Sequence, residues 1–266
     1  MSMMGMTLVL ISIYFATMVF MMTFLERSNT KIGNIIFITV NIVAFLGLYL
    51  CLYTPEKHNF KFKIFDQISP FTFTIMPMIL LFKSKIAEFI KSAIAFLSIG
   101  MIIAMLISPQ YAYLYDFAHD ATGDYLFDAL CHLNCSLFGI YLVLTGQVKL
   151  NYKSFVRAVI FMYTVITHGV IVNYLFGTGF FGMCPYGGYS IYMFNLFEEF
   201  WATLFAYYLG VMLVLYIGFE FNLAINKLGG HKLAFPDGDE GVSIFDKESG
   251  KITFTGFKNA VIDIFK

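Results

Sequence analysis

Two threonines, two histidines and two glutamates stand inside otherwise apolar runs of this chain: Thr72 and Thr74, His132 and His168, Glu198 and Glu199. Asn134, Asn173 and Asn195 lie close to them in sequence. Polar and ionisable groups are costly inside a membrane, so each is a functional candidate by default. A threonine hydroxyl is nearly inert near neutral pH unless a base lies within hydrogen-bond reach. Imidazole is the side chain suited to that role, and an asparagine amide can donate to a developing oxyanion. Thr74, His132, Asn134 and Asn173 are therefore of the residue types that can supply a nucleophile, a base and an oxyanion donor. Thr72, Asn134, His168, Asn195, Glu198 and Glu199 form a supporting polar set. Neighbouring residues of a helix point about 100° apart. Only one of the two glutamates would therefore face a common cavity, where it would orient or charge-balance a histidine. Each residue also has a structural reading. A threonine in a span bonds its own i−4 carbonyl, a histidine fills the core, and an asparagine ties helices together.

Metal chemistry is not expected, and no cofactor is implied. Cys131 and Cys135 share a helix face, but the intervening His132 points elsewhere and no fourth ligand is evident. The four cysteines are too few for a disulfide framework, although a Cys51–Cys184 bridge is topologically allowed. Asp116, His119, Asp120 and Asp124 make the segment 109–125 acidic, and it reads as a solvated loop.

The elements that would position these residues follow from composition. The chain is 59% hydrophobic and 13% charged, against about 45–50% and about 25% in soluble domains. The excess comes in blocks of about 17–25 residues, the length that crosses a hydrocarbon core. Backbone in lipid must satisfy its own hydrogen bonds, so these blocks become helices. Spans are predicted at 3–25, 33–53, 68–82, 93–108, 126–145, 155–176 and 190–219. The first lacks a basic n-region and a small-residue cleavage site, so it reads as a retained span. The third is short and interrupted by Pro70 and Pro77, which frees carbonyls that neighbours must satisfy. Residues 83–92 read as a turn or an interfacial helix start. The fold class expected is all-α: a polytopic membrane bundle of about seven spans.

Direction follows from lysines and arginines in short loops. The loops after spans 1, 3 and 5 carry Arg27 and Lys31; Lys83, Lys85 and Lys91; and Lys149, Lys153 and Arg157. The loops after spans 4 and 6 carry none, and Lys57, Lys61 and Lys63 after span 2 dissent. The N-terminus is thus expected outside and the C-terminus in the cytoplasm. Residues 1–228 form the bundle and 229–266 a small cytoplasmic tail. In the tail, 242–245 and 251–255 read as a β-hairpin and 257–265 as a short amphipathic helix. The hairpin is too small for its own core, so it would dock on the bundle or on a cytoplasmic protein partner. A net charge of zero and the lack of a basic face argue against nucleic acid. Richness in Ile, Phe, Lys and Asn is compatible with a bacterial cytoplasmic membrane.

With that topology, Thr72 and Thr74 lie about 6–9 Å, His132 about 9 Å, His168 about 12 Å and Asn173 about 5 Å from the outer ends of their spans. Glu198 and Glu199 lie about 12–14 Å into span 7, one turn from Asn195. These residues share an outer-half layer, and the inner half is expected to be nearly free of such groups.

Three stretches carry a family resemblance over roughly the C-terminal 60% of the chain: Ser69-Pro-Phe-Thr-Phe-Thr-Ile-Met, Cys131-His-Leu-Asn-Cys followed by Tyr141-Leu-Val-Leu-Thr-Gly, and Val172-Asn-Tyr-Leu-Phe-Gly-Thr-Gly-Phe-Phe. From residue 68 to about 219 the chain resembles the YwaF-type integral membrane family. That family includes a eukaryotic membrane acyltransferase acting on ether phospholipids. It is distantly similar to androgen-regulated membrane hydrolases that use a Thr–His pair. The resemblance matches His132 and Asn173. It also places Thr72 where the family has a histidine, Thr74 where it has a nucleophilic cysteine, and Gly179-Phe180 where it has Asn-Tyr. It implies a lipid acyl hydrolase or acyltransferase acting on membrane lipid with a Thr/His pair. The same substitutions also fit a member that has lost the chemistry and serves as a lipid-binding scaffold subunit or small-solute transporter.

Overall fold

The structure, a computed structural model, describes residues 3–24, 30–52, 68–107, 122–177 and 200–235. Among these residues the chain is helical, with no strand: α1 (Met3–Phe24), α2 (Thr30–Leu52), α3 (Ile68–Leu81), α4 (Lys85–Ile107), α5 (Thr122–Leu144), α6 (Tyr152–Phe176), α7 (Phe200–Gly229) and a 3₁₀ turn (Lys232–Ala234). The stretch Thr30–Gly47 of α2, together with α6 and α7, is long and apolar enough to cross a membrane. Shorter apolar stretches run through α1, α3 and α5. The outward faces carry exposed Ile13, Phe20, Ile36, Leu46, Ile171 and Leu213. Water would not tolerate apolar surface on this scale, whereas acyl chains match it. This is the make-up of an integral membrane protein. The expected hairpin, the short helix after it and residues 109–121 lie outside the described residues.

Two helices organise the bundle. α5 packs against α2 and α4, with α1 and α3 as smaller neighbours, and α4 packs against α5, α6 and α7. The α4–α5 pair is thus flanked by α1, α2 and α3 on α5 and by α6 and α7 on α4. The α4–α5 contact is close because Gly139 faces Ser98, where a Cβ would meet the serine side chain and the Ile94 carbonyl. Gly218 brings α7 onto α4 in the same way, and a Cβ there would run into the Phe96 carbonyl. Around this contact Phe96, Phe219 and Phe155 stack edge to face.

α4 begins at Lys85, inside the stretch 83–92 expected as a turn or an interfacial helix start, and its charged first turns run on into the apolar span. Ser84 Oγ caps it by accepting from Ala87 N at 3.1 Å. α7 continues ten residues past 219, to Gly229. Glu220 ends the apolar run in sequence, but it sits on an exposed face and does not stop the helix. The inward face then carries Asn222 and Asn226, both buried. Asn222 Nδ2 donates to Ala95 O at 3.3 Å and Gly218 O at 2.8 Å, and Asn226 Nδ2 donates to Asn222 O at 2.8 Å. α7 therefore carries buried polar groups beyond residue 219, where the expected span ends.

A second polar set gathers where α2, α4 and α6 begin and α5 and α7 end. Tyr141 Oη lies 2.7 Å from Asn34 Oδ1 and 2.8 Å from Thr30 O, and Gln147 Nε2 donates to the same Asn34 oxygen. The start of the tail docks here. Leu150 N donates to Ala234 O at 2.7 Å, and Lys149 Nζ donates to Leu233 O at 2.7 Å. Gly146 permits this docking. Its φ of +69° suits glycine, and a Cβ would press on the Leu233 carbonyl.

Candidate functional site

The candidate residues of α3 and α5 meet at one seam, and the reason starts with Pro77. Proline has no N–H, so the carbonyl four residues earlier loses its helical partner. That carbonyl belongs to Phe73. Asn41 of α2 supplies the missing donor, with Nδ2 2.6 Å from Phe73 O. The freed carbonyl anticipated from the proline is present, and the residue that satisfies it is one the sequence reading passed over. Asn34 and Asn41 stand seven residues apart in α2, hence on one face. That spacing was the available signal.

Repaired in this way, α3 presents residues 72–76 to α5. The Phe73 ring meets the His132 ring edge to face, centroids 5.1 Å apart. Thr72 and Thr74 flank Phe73. Thr72 is buried and its side chain bonds that of Cys135. Thr74 and His132 are half-buried. Asn134 is buried, and its Nδ2 lies 3.3 Å from Phe37 O and 3.7 Å from Met76 Sδ. Thr72, Phe73 and Met76 of α3 therefore meet His132, Asn134 and Cys135 of α5 in one stretch of seam, and Thr74 follows Phe73 in the same turn of α3.

α1 closes the other side. Tyr14 is buried near Cys135, and its hydroxyl has no hydrogen-bond partner among the described residues. Asn41 Oδ1 is likewise buried and unpartnered. An unpaired buried polar group costs about 1–3 kcal/mol, so this junction holds hydrogen-bonding capacity that the helices themselves do not use. Cys131 and Cys135 are free and buried. Among the described residues no group of three or more His, Cys, Asp or Glu could hold a metal ion.

The other candidates lie elsewhere. Asn173 is fully buried in α6, and its carbonyl accepts Gly177 N at 2.9 Å. The principal neighbours of α6 are α4 and α7, rather than α3 or α5. His168 is on an exposed face of α6. Asn195, Glu198 and Glu199 fall outside the described residues, as does Cys184.

Fold and seam together define a helical membrane protein with a polar junction built around a proline-broken helix. No protein-family model, curated protein or solved structure matches the chain.

Proposed function

We propose that this chain is a seven-span membrane protein of the YwaF type, with its N-terminus outside and its C-terminus in the cytoplasm. Its α3–α5 seam acts on lipid acyl esters. Thr74 Oγ1 attacks the ester carbonyl carbon and His132 takes the hydroxyl proton. The acyl group moves to Thr74, and the alcohol leaves with the proton returned by the imidazolium. Water then releases a fatty acid, or a second alcohol accepts the acyl group. Asn134 would hold the oxyanion. The observation that carries this reading is the Phe73–His132 contact, which sets the threonine-bearing turn of α3 beside the imidazole. The lysines and arginines of the loops after α1, α3 and α5 support the orientation, and the apolar outer faces support lipid as substrate and surroundings.

The test is labelling of the protein in native membranes with a fluorophosphonate probe. Labelling should be lost in both Thr74→Ala and His132→Ala. Labelling that survives both substitutions rejects the reading.

A second reading is a lipid-binding scaffold subunit or transporter without this chemistry. It is favoured by the way Thr72, Asn134 and Asn41 spend hydrogen bonds on tying helices together. A wild-type protein that retains acyl lipid but never labels would support it.

A further inference from the structure

Residues three and four apart on a helix share a face. On α4, Lys85, Glu88 and Lys91 form one stripe, and on α6, Lys153 and Arg157 form another. The stripes face each other. Arg157 Nη1 lies 3.5 Å from Glu88 Oε2, and the guanidinium carbon lies 5.8 Å from the centre of the Phe89 ring. Lys85 and Lys91 lie three residues to either side of Glu88 on α4, and Lys153 lies four residues before Arg157 on α6, so four cations gather around this pair, and Glu88 is the one carboxylate on the two stripes.

Two features of this seam are unfavourable as it stands. Arg157 is only 19% exposed, and its Nε is buried with no hydrogen-bond partner among the described residues. A guanidinium offers five donors in a planar fork, and one long contact with a half-exposed carboxylate leaves it short of acceptors. The lysines are also at the wrong ends of their helices. Lys85 opens α4 and Lys153 is the second residue of α6, where the helix dipole disfavours a cation. The caps there, Ser84 and Asn151, are neutral and offset none of this charge. An anion in the seam would relieve both costs. The surroundings indicate where such an anion would come from. Leu81, Phe82 and Ile86 are exposed beside Lys83 and Lys85. Lysine stems beside exposed apolar groups are the composition of a bilayer interface, where ammonium groups reach lipid phosphates.

We propose that the α4–α6 seam at Lys85, Lys91, Lys153 and Arg157 binds the phosphate of an anionic phospholipid head group. The proposal rests on the membrane-spanning reading and is independent of the Thr74–His132 chemistry.

The test reconstitutes the full chain in nanodiscs of equal phosphatidylcholine and phosphatidylglycerol. The protein is then released into mild detergent, and co-purifying lipid is counted by mass spectrometry. Phosphatidylglycerol should be enriched on the wild type. Lys153→Gln, at an exposed position, should lower the enrichment about fivefold, and Arg157→Gln at least as much. Lys227→Gln, an exposed cation at the end of α7, should leave it unchanged. Equal retention of the two lipids overturns the proposal, as does enrichment that survives both seam variants or falls equally in Lys227→Gln. Displacement by millimolar inorganic phosphate also overturns it, because the ligand would then be a soluble anion. Fluorophosphonate labelling has no bearing on these outcomes, so the two readings fail separately.

Discussion

α3 and α7 both pack on the central α4–α5 pair, but they are held by different means. α7 is a 30-residue helix seated where Gly218 meets the Phe96 backbone, and Asn222 bonds the Ala95 carbonyl. α3 has 14 residues and an internal proline, and its broken turn is completed by an asparagine from another helix. The first arrangement is close packing of backbone on backbone, which has one solution and little tolerance. The second joins helices through side chains and leaves Tyr14 Oη and Asn41 Oδ1 without partners among the described residues. A seam of that kind can accept a polar part of a ligand without first dismantling a packed core. The difference therefore argues for α3–α5 as the working side of the bundle and α4–α7 as its fixed side.

The largest effect expected is on chemistry alone. His132→Ala should lower the rate of fluorophosphonate labelling about 10²–10⁴-fold, the usual contribution of a general base, while thermal unfolding in detergent stays close to wild type. A large stability loss with unchanged labelling would reverse the roles assigned to the two seams. On the fixed side, Gly218→Val should destabilise by about 1–3 kcal/mol, because overpacking must push α7 off the Phe96 backbone. Denaturant unfolding in micelles measures it, and a neutral result would mean that the close approach is not rigid. On the working side, Asn41→Leu removes the side-chain donor to Phe73 O and should cost about 1 kcal/mol. Pro77→Ala restores an N–H for that carbonyl. In its background the cost of Asn41→Leu should shrink, and a double-mutant cycle showing strict additivity would break the repair argument. The effect with the least global reach is where the tail docks. Gly146→Ala forces a left-handed alanine and should cost about 1–2 kcal/mol locally. It should be read as faster hydrogen exchange at Leu150, whose N–H is tied to Ala234, with global unfolding little changed.

Much of this was legible in the residues. The lengths of the apolar runs place the helices, since hydrocarbon thickness fixes the length of a span. Pro77 announces an open carbonyl. What the sequence conceals is the partner that closes it. A single asparagine in an apolar helix looks the same whether it faces lipid, a neighbour or its own turn. The end of α7 is concealed for a related reason. The expected span ends at 219, just before Glu220, yet a long helix carries charges on exposed positions and continues past them. Asn222 and Asn226, four residues apart, were the sign that α7 still had an inward face. The meeting of Phe73 with His132 depends on the rotation of two helices about their axes, which weakly periodic apolar sequences do not specify.

The central claim is that Thr74 carries the acyl group. The direct measurement is peptide mapping by mass spectrometry after the membrane-embedded protein has reacted with a fluorophosphonate or a short-chain acyl ester. The account expects the adduct on Thr74, and its loss in His132→Ala. An adduct on Cys131, Cys135 or Thr72, or one on Thr74 that forms equally fast without His132, would contradict it.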